Sequence, residues 1–147
     1  MTKKYIQLLI QYNTEVIFFI MLFVSACFSD AFFTTSNLFN LLRQVTPVGI
    51  ISMGMLLVIL TGGIDLSVGS VVATSGVLVA FFTQLMDWPS SVFLSLTAGL
   101  VVGFISGFFV AYQKMAPFIV TLALMTIVRG TGFIISKGAP IMVHEDE

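Results

Sequence analysis

Between two long apolar segments the chain carries the run Gly62-Gly63-Ile64-Asp65-Leu66-Ser67-Val68-Gly69-Ser70. This run limits the possible folds more than any other feature. Paired glycines interrupt a helix, and a carboxylate set among apolar segments is costly in lipid unless protein or water surrounds it. The run therefore points to a polar route built through a membrane, and not only to an anchor in one.

Composition supports the membrane assignment. Of 147 residues, 58% are hydrophobic and 9% charged, and the mean hydropathy is +1.09. Soluble domains carry roughly 25% charged residues, so an aqueous surface could not be covered here. The formal net charge of -1, with no basic patch interleaved with aromatics, argues against a nucleic-acid partner. Cys27 is the only cysteine, which removes a disulfide framework and a Cys-rich metal site. No metal and no cofactor is expected. His144, the only histidine, reads as a solvated residue in a charged tail.

The expected fold class is an all-α membrane protein with about five transmembrane helices. A span needs about 20 residues at a rise of about 1.5 Å each. The spans are expected at 16–28 (short unless it reaches back through residues 5–12), 45–60, 66–86, 92–112 and 117–136. Pro89 opens the fourth as a first-turn proline can, and Arg129 lies in the fifth. Residues 34–44 place Leu38, Leu41, Leu42 and Val45 at helical spacing, as an interfacial amphipathic helix or an extension of the second span. A cytoplasmic N-terminus puts Lys3, Lys4 and Lys114 inside and Asp87 outside, as the positive-inside rule favours; Arg43 and Lys137 count against it. Val24-Ser25-Ala26-Cys27 has the look of a lipoprotein cleavage box. The polar interruption at 11–15 and the four apolar segments that follow favour Cys27 as a small apolar residue instead.

Small residues mark packing faces. Gly99, Gly103, Gly107 and Ala111 recur every four residues on the fourth span, and Gly69, Ala73, Gly76 and Ala80 at three and four on the third. Such faces let helices approach closely, here against each other or against helices elsewhere. Asp65 has two compatible readings: a cap for the third span, accepting from the N–H of Val68 or a neighbour, worth about 1 kcal/mol, or a polar group lining a path at a broken helix. Position alone favours the cap. Arg129 is costly at mid-membrane. Asp65 is expected towards the opposite side, which leaves snorkelling, or carbonyls freed near Gly130 and Gly132, as alternatives. A serine hydrolase, suggested by Ser75-Gly76, fails because His144 lies outside the spans and no catalytic pairing exists. No catalytic residue is expected.

The run Gly63-Ile64-Asp65-Leu66-Ser67-Val68-Gly69-Ser70 resembles the signature of permease subunits from ribose-type (simple-sugar) ABC importers. The resemblance extends through Asn37-Leu38, Asn40-Leu41-Leu42, Gly49, Gly54-Met55, Val58-Ile59, Gly103 and Gly107. Pro117-Phe118-Ile119-Val120-Thr121-Leu122, Arg129-Gly130 and Gly138-Ala139-Pro140-Ile141 follow in family order. Ser106 stands where an asparagine is common. The resemblance covers roughly residues 31–143, and it implies that Gly62, Gly63, Asp65, Ser67, Gly69 and Ser70 form a signature motif on the translocation pathway.

What the resemblance implies is a multi-pass subunit of the bacterial inner membrane, working with a second permease subunit, a soluble substrate-binding protein and an ABC ATPase subunit. Its cargo is a monosaccharide such as ribose. The subunit itself is no enzyme, since ATP hydrolysis belongs to the partner. Family members continue beyond the last residues here, so residues 1–147 are expected to be the N-terminal half of a larger polytopic ABC permease: a truncated product, a split subunit or an incomplete gene, not autonomous in transport. The alternative class is a small structural or oligomeric channel-like membrane protein without transport coupling, held together by its glycine faces.

Overall fold

The computed structural model describes residues 12–143. The expectations for Lys3, Lys4, the backward reach of the first span and His144 concern residues outside those described. The described chain is all helical: α1 Asn13–Phe28, α2 Thr35–Leu60, α3 Val68–Phe82, α4 Trp88–Ala111 and α5 Pro117–Ser136. Three of these, α2, α4 and α5, are long and apolar enough to cross a membrane; α1 and α3, of 16 and 15 residues, are apolar but shorter.

The chain divides into two compact units, residues 1–50 and 51–147. The first contains α1 and the beginning of α2. Helix α2 is continuous from Thr35, so residues 34–44 extend the second span and do not form a separate interfacial helix. Pro47 lies inside α2, where it lacks an amide hydrogen to donate to the preceding turn. One residue earlier the Thr46 hydroxyl donates to the carbonyl of Leu42 at 2.6 Å. Asn37 donates its amide to the carbonyl of Phe32 at 2.8 Å, which fixes the entry to the helix.

In the second unit α3 is the central element, packed against α5 and α4, with a lesser contact between α4 and α5. The burial pattern is inverted relative to a soluble domain. Among the described residues the buried side chains are Ser67, Ser70, Thr74, Ser91, Ser95 and Thr121, joined by Val120 and Val128. Large apolar side chains such as Phe104 and Ile134 are turned outward. Small hydroxylated residues let helices approach closely. Most of these hydroxyls donate to a carbonyl of their own helix or its cap, while Thr74 donates across to Val128 of α5. Ser95 donates to the carbonyl of Ser91 at 2.8 Å, and Ser91 to that of Asp87 at 2.9 Å. The apolar exterior is what lipid solvates.

Helix ends explain the shifted boundaries. α4 begins at Trp88, earlier than the expected 92, because Asp87 is its N-cap and Pro89 sits in its first turn. The Asp87 carboxylate accepts from the hydroxyl of Ser90 at 2.9 Å and from its backbone N–H at 3.3 Å. Those two bonds, the hydroxyl's first, hold the Asp87 pKa below its ordinary value. α3 ends at Phe82, short of the expected 86, and residues 83–86 form turns. α5 has the expected bounds and closes on Lys137 in a left-handed conformation (φ 53°), with Gly138 donating to the carbonyl of Phe133 at 3.1 Å.

Candidate functional site

The signature run starts where α2 stops. Gly62, at φ +78°, takes the left-handed conformation that ends the helix. Its N–H donates to the carbonyl of Ile59 at 2.9 Å, and that of Gly63 to Val58 at 3.1 Å, the paired bonds of a Schellman termination. Gly63 packs at ordinary contact distance: a Cβ there would lie 3.4 Å from a methyl of Val58 and 3.8 Å from Pro117 at the start of α5. The backbone then runs without helical bonds to Ser67.

Asp65 organises this non-helical stretch. Its Oδ1 accepts from the backbone N–H of Ser67 at 2.7 Å and from the Ser67 hydroxyl at 2.6 Å. This is an Asx-turn, in which a carboxylate mimics a backbone acceptor two residues back. The N-cap position of α3 therefore belongs to Ser67, not Asp65, and the Ser67 side chain does not itself cap the helix. Ser70, one turn on, donates to the Ser67 carbonyl at 2.7 Å. On the other side Thr121 of α5 lies 3.3 Å from the carbonyl of Ile64, sharing its single proton with the nearer Pro117 carbonyl at 2.9 Å. So the start of α5 holds residues 63–65 in place.

These elements enclose a cavity of about 270 Å³. Its polar lining comes from Thr61, Asp65, Ser106 and Thr121, with Gly63, Gly103 and Gly107 providing side-chain-free wall. Non-helical backbone at membrane depth is tolerated where it lines a cavity, and Gly63, Ile64 and Asp65 do so here. The structure thus brings Gly63 and Asp65 together with Gly103 and Gly107, which lie some forty residues further along the chain. Thr61, Ser106 and Thr121 were not singled out as site residues from the sequence. Their signal was weak: each is one hydroxyl in an apolar helix or at its end, and only the fold shows which hydroxyls share a wall.

Gly62, Ser67, Gly69 and Ser70 are not part of that lining. Gly62 makes the turn, Ser70 is buried against its own helix, and Gly69 is exposed. The glycine faces of α3 and α4, expected to pack on each other or against helices elsewhere, are not paired with each other. Only Gly99 approaches α3, where a Cβ would meet Val71 and Ser75 at 3.6 and 3.7 Å, while Gly69, Gly76, Gly103 and Gly107 face open space. The close approach is elsewhere, at Gly132 of α5, where a Cβ would fall 2.7 Å from the Thr74 hydroxyl. Arg129 is exposed and forms no ion pair with a described residue. Among the described residues no cluster of three or more His, Cys, Asp or Glu could hold a metal.

Apolar helices around a hydroxyl-rich interior, with a non-helical run beside a cavity, define a membrane protein of several helices. The chain belongs to the permease family described as "branched-chain amino acid transport system / permease component", whose pattern matches residues 37–140. Similar proteins include the ribose import permease protein RbsC of Escherichia coli strain K12, 34% identical over 134 residues, 90% of this chain and 42% of the relative. RbsC of Bacillus subtilis strain 168 is 44% identical over 124 residues, 84% of this chain and 38% of its own. The xylose transport system permease protein XylH of Escherichia coli strain K12 is 39% identical over 124 residues, 83% and 32%. The ribose-type resemblance read from residues 31–143 is borne out by these relatives. The chain spans about two-fifths of the length of the ribose permeases that it matches. No solved structure matches it.

Proposed function

We propose that the chain is the N-terminal portion of the membrane subunit of an ATP-driven importer for a monosaccharide such as ribose, with residues 61–67 on the translocation pathway. The observation that carries this reading is the cavity at the broken helix, formed by the same signature run that the family match covers. In it Asp65 offers an acceptor and Ser106 a hydroxyl. The hydroxyls of Thr61 and Thr121, whose protons go to the carbonyls of Val58 and Pro117, keep acceptor capacity. This set suits a hydroxylated, uncharged solute. The subunit performs no covalent step. Transport follows from differential affinity for outward- and inward-open states, biased by an ABC ATPase subunit on the cytoplasmic side. A soluble binding protein delivers the sugar, and a second permease subunit completes the pathway. The chain lies in the bacterial inner membrane with its N-terminus in the cytoplasm.

The test is a replacement. The matched region of the Bacillus subtilis ribose permease is exchanged for this chain, and ribose uptake is measured in cells lacking their own permease. Uptake that depends on the cognate ATPase subunit is the expected result. A replaced protein that inserts normally and takes up no ribose and no xylose would overturn the sugar reading. The channel-like alternative predicts solute flux that persists after the ATPase is removed.

A further inference from the structure

We propose that Arg129 anchors a membrane interface: the exposed face of α5 receives a helix from the part of the permease outside the region matched here, and a carboxylate on that helix pairs with the guanidinium. The proposal rests on the permease reading above.

Arg129 is the only charged residue of α5, in the thirteenth of its twenty positions. It lies about 18 Å along the helix from Pro117 and about 10 Å short of Ser136. Side chains lean towards the N-terminus of their helix. The guanidinium is thus carried towards mid-membrane and away from the nearer end, which works against snorkelling. Intramembrane cations almost always face a bundle interior or a water-filled cavity and are paired there. Here Arg129 is exposed instead, on one face with Leu122, Thr126 and Phe133, while Val120, Thr121, Val128 and Gly132 occupy the buried side.

The described acids of this unit do not match it in depth. Ile64 sits at the level of Thr121, so Asp65 lies about eight helical residues, or about 12 Å, from Arg129 along the axis. Asp87 follows the turns after α3, and Gln84 in those turns reaches Met142, beyond the far end of α5, at 3.5 Å. A second copy related by an axis along the membrane normal keeps both depths. More than half of each ribose permease lies outside the match, which is room for several further helices. The planar fork of arginine takes a carboxylate bidentately, so charge and geometry both favour an Asp or Glu partner.

The test is co-purification from membranes. The full chain is co-expressed with the unmatched remainder of the Bacillus subtilis ribose permease, and the recovered fraction is measured after mild detergent extraction. The wild-type chain is expected to bring the remainder with it. Arg129→Leu should cut recovery by roughly tenfold and Arg129→Lys by less. Arg129→Leu expressed alone should insert at least as well as wild type, which separates lost docking from lost folding. Arg129→Glu should lose recovery and regain it when one intramembrane acid of the remainder is changed to Arg. Equal recovery of wild type and Arg129→Leu would overturn the inference and leave the permease reading standing. Failure of the wild-type chain to bring the remainder would overturn both. An Arg129-dependent loss reproduced by Glu15→Gln or Asp30→Asn, or recovery of a second copy of the chain in its place, would also overturn the inference.

Discussion

Small residues line both the seam between α3 and α5 and the cavity side of α4, and the two regions use them differently. At the seam a single glycine, Gly132, admits Thr74, whose hydroxyl donates to the carbonyl of Val128 at 2.9 Å. On α4 the three glycines stand in strict register, yet only Gly99 meets a neighbour, and Gly103 and Gly107 border empty volume. Gly103 also borders a second, apolar space of about 790 Å³ opening beside Phe104. Periodicity of small residues therefore marks a face that can receive something; it does not say whether a helix of the same unit fills it. A lone glycine opposite a buried threonine marks a contact that is already closed.

The largest effect should come from closing the seam further. Gly132→Ala sets a methyl against the Thr74 hydroxyl at 2.7 Å, and overpacking of this kind costs about 1–3 kcal/mol. Unfolding of the chain in mixed detergent should move to lower denaturant by a corresponding amount. Unchanged unfolding would mean that α3 and α5 are not held together at this point. Asp65→Ala, next in size, removes the acceptor for both Ser67 donors and should cost about 1 kcal/mol, whereas Asp65→Asn keeps an acceptor and should cost less. Under the proposed pathway role, Asp65→Asn still impairs uptake in the replaced permease. Full uptake there would leave Asp65 a structural role only.

Thr74→Val sharpens the comparison at smaller amplitude. It removes the interhelical bond but keeps the shape, and such bonds average about 0.6 kcal/mol in a membrane protein. Gly107→Ala should have no destabilising effect on the chain alone, since nothing lies within 4 Å of the added Cβ. If it destabilised the chain as much as Gly132→Ala, the distinction between closed and open faces would fail. The smallest effect belongs to neither region. The pKa of Asp87 is lowered in the folded state by the hydroxyl and N–H of Ser90. Its capping contribution is therefore present above the ordinary carboxylate value and lost as pH falls through the lowered one. Helix content in detergent followed into the acid range should show a small loss that Asp87→Asn abolishes.

Much of this molecule was legible from local signals. α5 is bounded by Pro117 and a left-handed Lys137, and its extent matches its hydrophobic run. Paired glycines end α2 where they were expected to interrupt a helix. Other features depend on distance in the chain. Thr74 and Val128 are 54 residues apart, so no local pattern announces Gly132 as their contact point. Thr121, Ser106 and Asp65 share a wall only because residues 63–65 turn back against α5. The second span, expected at 45–60 with residues 34–44 as its extension or a separate helix, is one helix from Thr35 that runs through Pro47. The Asx-turn of Asp65 replaced the expected cap because Ser67 takes the cap position itself.

The central claim is that the broken-helix run lines an aqueous cavity inside the membrane. The most direct measurement places a single cysteine at Ser106, on the cavity wall, or at Leu100, on the outward face of the same helix, in a Cys27→Ser background. Each protein, in intact membranes, is then treated with a charged thiol reagent, which reacts with a thiolate formed in contact with water. Rapid labelling at Ser106→Cys and none at Leu100→Cys is the predicted result. Equal protection at both positions would contradict the claim.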